Sequence, residues 1–308
     1  MEHDPQSHGY RPHEHAQLNY GRAFAIGIAL NLAYVAGEAV AGIISGSLAL
    51  LADAGHNLGD VLGLSLSWGA AVLSRRQPSG RFTYGLRSSS ILAALANAII
   101  LLVVTGGIAW EALWRLAHPV PVVSGIVIGV AAVGIFVNGG TALLFATGGA
   151  RDLNVRSAFL HLAADALVTA GVVATGVAIW LTSWLWLDPV VSLVVSAIIV
   201  LGTWGLLKSA MGLALDAVPE GVDAAAVRTH LLAMPGVIGL HDLHIWGMST
   251  TETALTCHLV MPTGHPGDAV LNGMAQQLHD RFGIQHATIQ IELADSDEVC
   301  VLTPEHVV

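Results

Sequence analysis

Residues 48–74 read LALLADAGHNLGDVLGLSLSWGAAVLS, and this stretch decides the fold. It holds no Lys or Arg, and its ionisable side chains are Asp53, His56 and Asp60. A helix of about 20 apolar residues, rising about 1.5 Å per residue, crosses the roughly 30 Å hydrocarbon core of a bilayer. The stretch is long and apolar enough to do so. An uncompensated charge at the bilayer centre costs about 3 kcal/mol or more, so two carboxylates and an imidazole placed there need a partner.

Outward from this run the same pattern recurs. Apolar runs at 20–44, 88–114, 122–147, 156–182 and 185–207 bring the number of expected spans to six, all rich in the small residues that let helices pack closely in lipid. The composition agrees: 54% of the 308 residues are hydrophobic, 11% are charged, and the mean hydropathy is +0.67. A soluble domain is about 25% charged, and disordered or coiled-coil chains are polar, so those classes are excluded. The net charge of −10 is unevenly divided. Residues 1–207 carry 9 basic and 10 acidic side chains, whereas 208–308 carry 3 and 12. A nearly neutral membrane body is thus followed by an acidic, water-soluble tail, with no basic patch for nucleic acid.

Orientation follows from the basic residues. Arg11, Arg22, Arg75, Arg76, Arg81, Arg87, Arg151, Arg156 and Lys208 all fall on one side of a six-span arrangement, and Arg115 alone on the other. The positive-inside rule then predicts that both termini are cytosolic, in a cell (inner) membrane. The first residues lack the basic start and apolar stretch of a signal peptide. Residues 1–19, with His3, His8, His13 and His15, read as a cytosolic tail, 20–207 as the membrane domain and 208–308 as a cytosolic domain. Within the last, helix signals at 222–233 and 266–282 and alternating strands at 237–246, 253–261 and 286–293 predict the order αββαβ, an open-faced sandwich. The two cysteines, Cys257 and Cys300, are too few for a disulfide framework.

The chemistry lies in the second and fifth runs. Both contain His-x-x-x-Asp, as His56…Asp60 and His161…Asp165, and a spacing of four places both side chains on one helix face. Two such faces opposed offer two imidazole nitrogens and two carboxylate oxygens, a tetrahedral set suited to Zn²⁺. Asp53, one turn before His56, reads as a supporting residue or part of a proton path. Glu38 and Glu111 lie nearer the outer ends of their runs, where water satisfies charge, and Asn57, Asn97 and Asn138 read as hydrogen bonds between helices. An intramembrane zinc hydrolase is the rival class. Such an enzyme has three protein ligands and an open water position, and the chain contains no His-Glu-x-x-His or serine nucleophile motif. A metal-sensing receptor is a weaker rival, since no signalling module is attached.

The segment Ser47-Leu48-Ala49-Leu50-Leu51-Ala52-Asp53-Ala54-Gly55-His56-Asn57-Leu58-Gly59-Asp60 closely resembles the second span of the cation diffusion facilitators, in their zinc-exporting branch. Arg81-Phe82-Thr83-Tyr84-Gly85 resembles that family's loop signature. His241-Asp242-Leu243-His244-Ile245-Trp246 and His286-Ala287-Thr288-Ile289-Gln290-Ile291-Glu292 resemble its cytosolic domain. The likeness spans residues 20–293. It implies a homodimer that exchanges cytosolic Zn²⁺ for protons, with His56, Asp60, His161 and Asp165 as the transport site. A His at the first of these positions resembles the zinc-selective members, with Cd²⁺, Co²⁺ and Ni²⁺ remaining alternatives. The resemblance also implies a regulatory cytosolic metal site of His241, His258 and Glu292, with His286 as a further candidate. Residues 286 and 292 would stand about 20 Å apart on a straight strand, which opposes a shared ion. Loop 75–81 (Arg-Arg-Gln-Pro-Ser-Gly-Arg) lacks the Asp and His with which some members bind another ion. His230, His265 and His279 read as solvent-facing, and the N-terminal histidines and the tail around Cys300 as segments that feed metal.

Overall fold

A computed structural model describes residues 20–74, 76–148, 153–293, 300 and 302, with side chains at all of these except 20–27, 30, 64, 67, 70, 71, 74 and 140–162. The apolar runs form six long helices: α1 (Tyr20–Ser45), α2 (Leu48–Ser74), α3 (Ser89–Ala117), α4 (Ser124–Gly148), α5 (Leu153–Thr182) and α6 (Leu187–Ala214). Over the residues whose side chains are described, Ser89–Ala117, Ala163–Thr182 and Leu187–Ala214 are each long and apolar enough to cross a membrane. α1, α2 and α4 are 26, 27 and 25 residues long. Large apolar side chains point outward, among them Phe136 (80% exposed), Leu201 (78%) and Trp110 (74%). Such a surface suits lipid and would aggregate in water. The chain is a membrane protein.

Helices α4 and α5 pack along one another, α3 pairs with α6, and α2 is wedged between α1, α3, α5 and α6. Small buried residues allow the close approach: Ala41, Ala49 and Ala131 meet Leu50, Val127 and Val172 in one cluster, and Ala52 meets Val195 and Ile199 in another. The α1–α2 turn depends on Gly46, whose φ of +71° is open to glycine at little cost and whose missing Cβ would lie 2.9 Å from the Pro121 carbonyl. Asp188 of α6 then closes the end of α2. Its carboxylate accepts from the Ser47 hydroxyl (2.5 Å) and from the backbone N–H of Leu48 (2.7 Å) and Ala49 (3.3 Å). These are orphan donors of a helix N-terminus, satisfied by a side chain distant in sequence.

The cytosolic domain follows as α7 (Ala224–Leu232), β1 (Gly239–Gly247), β2 (Thr253–Val260), α8 (Asp268–Phe282) and β3 (His286–Glu292), the order αββαβ. Asp223 caps α7 through the N–H of Ala225 and Ala226, and Gly283, in the left-handed conformation, ends α8. The sheet is mixed: β1 pairs antiparallel with β2, and β2 parallel with β3. Both helices cover one face, burying Val227, Leu231, Leu255, Leu259, Leu278 and Ile284. The domain is held to the membrane body at the start of α3. Arg87 bonds Glu252 (2.8 Å), the Ser88 hydroxyl donates to the Met248 carbonyl (3.3 Å), and the Thr250 N–H donates to Ser90 Oγ (3.1 Å).

Candidate functional site

The contact of α2 with α5 brings together His/Asp residues from both helices. His56 Nε2 lies 2.9 Å from Asp165 Oδ1, and donor atoms of His56, Asp60 and Asp165 all lie within 4.8 Å of one another. Asp165 is buried, whereas His56 and Asp60 are half-buried. His161 belongs to α5, one turn before Asp165, and its side chain lies outside the described residues. An imidazole against a carboxylate, with a second carboxylate in reach, is a metal-accepting arrangement: when the ring is neutral and both acids are ionised, the lone pairs converge.

Asp53 faces the same α2–α5 seam and accepts from the Thr169 hydroxyl at 3.3 Å, and that hydroxyl also lies 3.0 Å from the Asp165 carbonyl oxygen. Glu38 departs from the expectation of a water-satisfied charge near the outer end of its helix. It is 0% exposed and accepts from Tyr34 (3.2 Å) and Asn57 (3.0 Å). Position along a helix says nothing about which neighbour covers a side chain, and here α2 covers this one. Glu111 does stand partly in the open, paired with Arg115 at 2.9 Å. Asn57 and Asn97 bond between helices, the latter to the Gly59 carbonyl (3.4 Å).

A second cluster forms on the open face of the cytosolic sheet. His241 on β1, His258 on β2, Glu292 at the end of β3 and Cys300 present ligand atoms within 4.8 Å of one another. The register explains it: His241 stands opposite His258, and Val260, two residues on, opposite Glu292. Glu292 reaches both rings, at 2.8 Å from His258 Nδ1 and 3.2 Å from His241 Nε2. That His241 nitrogen is buried and lacks hydrogen-bond geometry to any partner among the described residues, the kind of orphaned atom a shared cation relieves. A nitrogen, oxygen and sulfur set of four fits Zn²⁺ and would leave no open position for a reacting group.

Strict alternation along β1 predicts Asp242 on the face opposite His241. Instead the strand bulges between His241 and His244, with Asp242 at φ +50°, and the Asp242 carboxylate reaches His244 (2.8 Å) and His258 (3.5 Å). A bulge re-aims side chains in this way. His286 lies at the other end of β3, edge-on to Tyr84 with ring centroids 5.7 Å apart. His230 is only half-exposed, its ring against Phe282, while His265 and His279 are exposed. Cys300, eight residues past the end of β3, carries no local sequence signal as a cluster member; only its return onto the sheet places it there. The N-terminal histidines lie outside the described residues.

A helical membrane body with a polar His/Asp cluster in its interior, joined to a small mixed-sheet domain, is an architecture suited to a membrane carrier of metal ions. The comparisons give the family. Residues 24–213 match the model of the cation efflux transmembrane domain, and 219–294 that of the cation efflux protein cytoplasmic domain. The cation efflux system protein CzcD of Alcaligenes sp. (strain CT14) is 36% identical over 287 residues, 93% of this chain and 90% of that one. The zinc transporter ZitB of Escherichia coli (strain K12) is 35% identical over 288 residues, covering 93% and 92%. The cadmium, cobalt and zinc/H(+)-K(+) antiporter of Bacillus subtilis (strain 168) is 29% identical over 285 residues, 91% of each. Among solved structures, the metal-bound C-terminal domain of the CzcD transporter from Cupriavidus metallidurans is 45% identical, covering 23% of this chain and all of that one, with a TM-score of 0.22. The chain belongs to the cation efflux family, the cation diffusion facilitators. That family consists of transporters, so the protein is not an enzyme.

Proposed function

We propose that this protein exports Zn²⁺ from the cytosol in exchange for protons, as a homodimer in the cell (inner) membrane with both termini cytosolic. The observation that carries the reading is the convergence of His56, Asp60 and Asp165 across α2 and α5. With His161, one turn before Asp165 on α5, they make a His₂Asp₂ set for the transported ion. Relatives named as a zinc transporter and as a cadmium, cobalt and zinc antiporter support a divalent cargo. Imidazole favours Zn²⁺ over the harder Mg²⁺ and Ca²⁺. Residues 20–207 act as the carrier and 208–308 as the dimerising, regulatory domain, in line with the cytoplasmic-domain match. There His241, His258 and Glu292 form the regulatory metal site.

The cycle follows from the ligands. Zn²⁺ binds neutral imidazole and ionised carboxylate, so loading from the cytosol displaces protons from His56 and its Asp165 partner. The unperturbed His pKa of about 6.5 places that exchange near physiological pH. Once the bundle opens outward, external protons compete for the same nitrogens and release the metal. In proteoliposomes with an imposed pH gradient, ⁶⁵Zn accumulation is expected to fall at least tenfold in both Asp60→Ala and His161→Ala, since each removes one ligand of a tetrahedral set. Undiminished gradient-driven transport in both variants would sink the assignment.

A further inference from the structure

Two buried carboxyl groups next to the His/Asp cluster take no part in the proposed ligand set. Glu38 on α1 and Asp53 on α2 are each 0% exposed, and Asn57, one turn after Asp53 on α2, donates to Glu38, so both carboxyl groups belong to the same buried α1–α2 contact. Both Glu38 oxygens have donors, Tyr34 at Oε1 and Asn57 at Oε2. Asp53 Oδ1 accepts from Thr169, but the buried Oδ2 has no donor among the described residues. Two ionised carboxylates do not face one another in an apolar interior, because desolvation and mutual repulsion both oppose it. One proton supplies the missing donor and removes the repulsion.

The pocket is built around this pair. The Tyr34 phenol oxygen occupies the space that a side chain at Gly134 of α4 would fill, and the Thr169 methyl group lies 3.2 Å from the same point. Among the described residues, the titratable groups near the pair are Tyr34 on α1, His56 on α2 and Asp165 on α5. α4 has no titratable residue, and those of α3 and α6 (Glu111, Arg115, Asp188 and Lys208) lie towards the helix ends. The pair is linked to the transport cluster by position, since Asp53 sits one turn before His56. The link also runs through Thr169, whose hydroxyl lies within hydrogen-bonding distance of both Asp53 and the Asp165 carbonyl.

We propose that Glu38 is a second proton-carrying group of the exchanger, holding one proton against Asp53 in the metal-free protein and giving it up when a dication enters the His/Asp set. The inference rests on the proton-coupled reading above. The O–H bond of the Glu38 carboxyl breaks, the proton leaves to water on the side to which the site is open, and the pair passes from one negative charge to two. The incoming dication compensates that charge. After the metal departs outward, a proton from the outer solution re-forms the bond. Asn57 and Tyr34 keep the Glu38 carboxylate hydrogen-bonded while it is ionised.

The test combines two measurements on the full-length protein. Infrared difference spectra of the wild type, metal-free against Zn²⁺-loaded, are expected to lose a protonated-carboxylic-acid carbonyl band, and that loss is expected to be absent in Glu38→Gln. Calorimetric Zn²⁺ titrations in buffers of different ionisation heat are expected to show about one proton fewer released per metal by Glu38→Gln than by the wild type. The Gln amide can donate to Asp53 as the acid does, so Zn²⁺ binding and ⁶⁵Zn/Zn exchange at equal pH are expected to persist. A wild-type spectrum with no lost carboxylic band overturns the proposal whether or not the variant folds, as does a Glu38→Gln protein that releases the wild-type number of protons. A wild type that releases no protons and ignores the pH gradient overturns the proton-coupled reading itself.

Discussion

At the scale of single residues, chemistry is set by which side chains share a space. Cys257 and Cys300 illustrate it. Neither is in a disulfide, yet Cys257 is buried beneath the cytosolic sheet and Cys300 is half-buried against His258. Burial pushes the Cys257 thiol up to about 12, so it carries essentially no thiolate at neutral pH and cannot react. Maleimide at pH 7.5 is therefore expected to label Cys300 and spare Cys257 in the folded protein, and to label both after denaturation. Zn²⁺ is expected to slow the Cys300 reaction; mass spectrometry of the labelled peptides checks both points. Labelling of Cys257 in the native state would contradict the burial, and a Cys300 rate indifferent to Zn²⁺ would remove it from the cytosolic cluster.

At the scale of elements, α2 carries the His56/Asp60 face and its register is fixed from outside itself. The Asp188 carboxylate ties the Ser47–Ala49 turn to α6, while the Arg115 guanidinium from α3 donates to the Gly46 carbonyl at 2.6 Å. Replacing a helix cap costs about 0.5–2 kcal/mol, and leaving buried amide donors without an acceptor adds about 1–3 kcal/mol. Asp188→Ala is therefore expected to lower the Tm of the detergent-solubilised protein by several degrees, and Asp188→Asn, which keeps one acceptor, by less. An unchanged Tm in Asp188→Ala would show that the clamp adds little. Much of this level was readable beforehand. The apolar runs emerge as α1–α6 because hydropathy and length are local properties, and αββαβ emerges because period-2 and period-3.6 patterns are local too. α6 runs on to Ala214, beyond the apolar run that ends at 207, since no helix breaker intervenes before Pro219. The β1 bulge at Asp242 was not readable, because a bulge depends on the partner strand's register.

At the scale of the whole molecule, the two domains meet through polar contacts at the start of α3. The Arg87–Glu252 pair leaves its side chains 38% and 35% exposed, so by itself it contributes about 0.2–1 kcal/mol. Its consequence is orientation more than stability. Arg87→Glu is expected to slow ⁶⁵Zn transport a few-fold without unfolding, and the swap Arg87→Glu with Glu252→Arg to recover most of the rate, in keeping with a pair coupling of about 1 kcal/mol or less. If the swap stays as slow as the single variant, the contact does not orient the domain.

The sequence by itself determined that this is a membrane protein with an acidic cytosolic domain, and that His56 and Asp60, like His161 and Asp165, share a helix face. These conclusions follow from composition and from periods within one element. Only the tertiary structure decided which faces meet. It set Asp165 against His56, placed Cys300 against His258, and buried Glu38 against Asn57 of α2 where a water-exposed charge was expected. The physical reason is that helix–helix and strand–strand contacts depend on close approach at small residues and on register, and these join residues far apart in the chain. A charge near a helix end can face water or a neighbouring helix, and only packing selects between them.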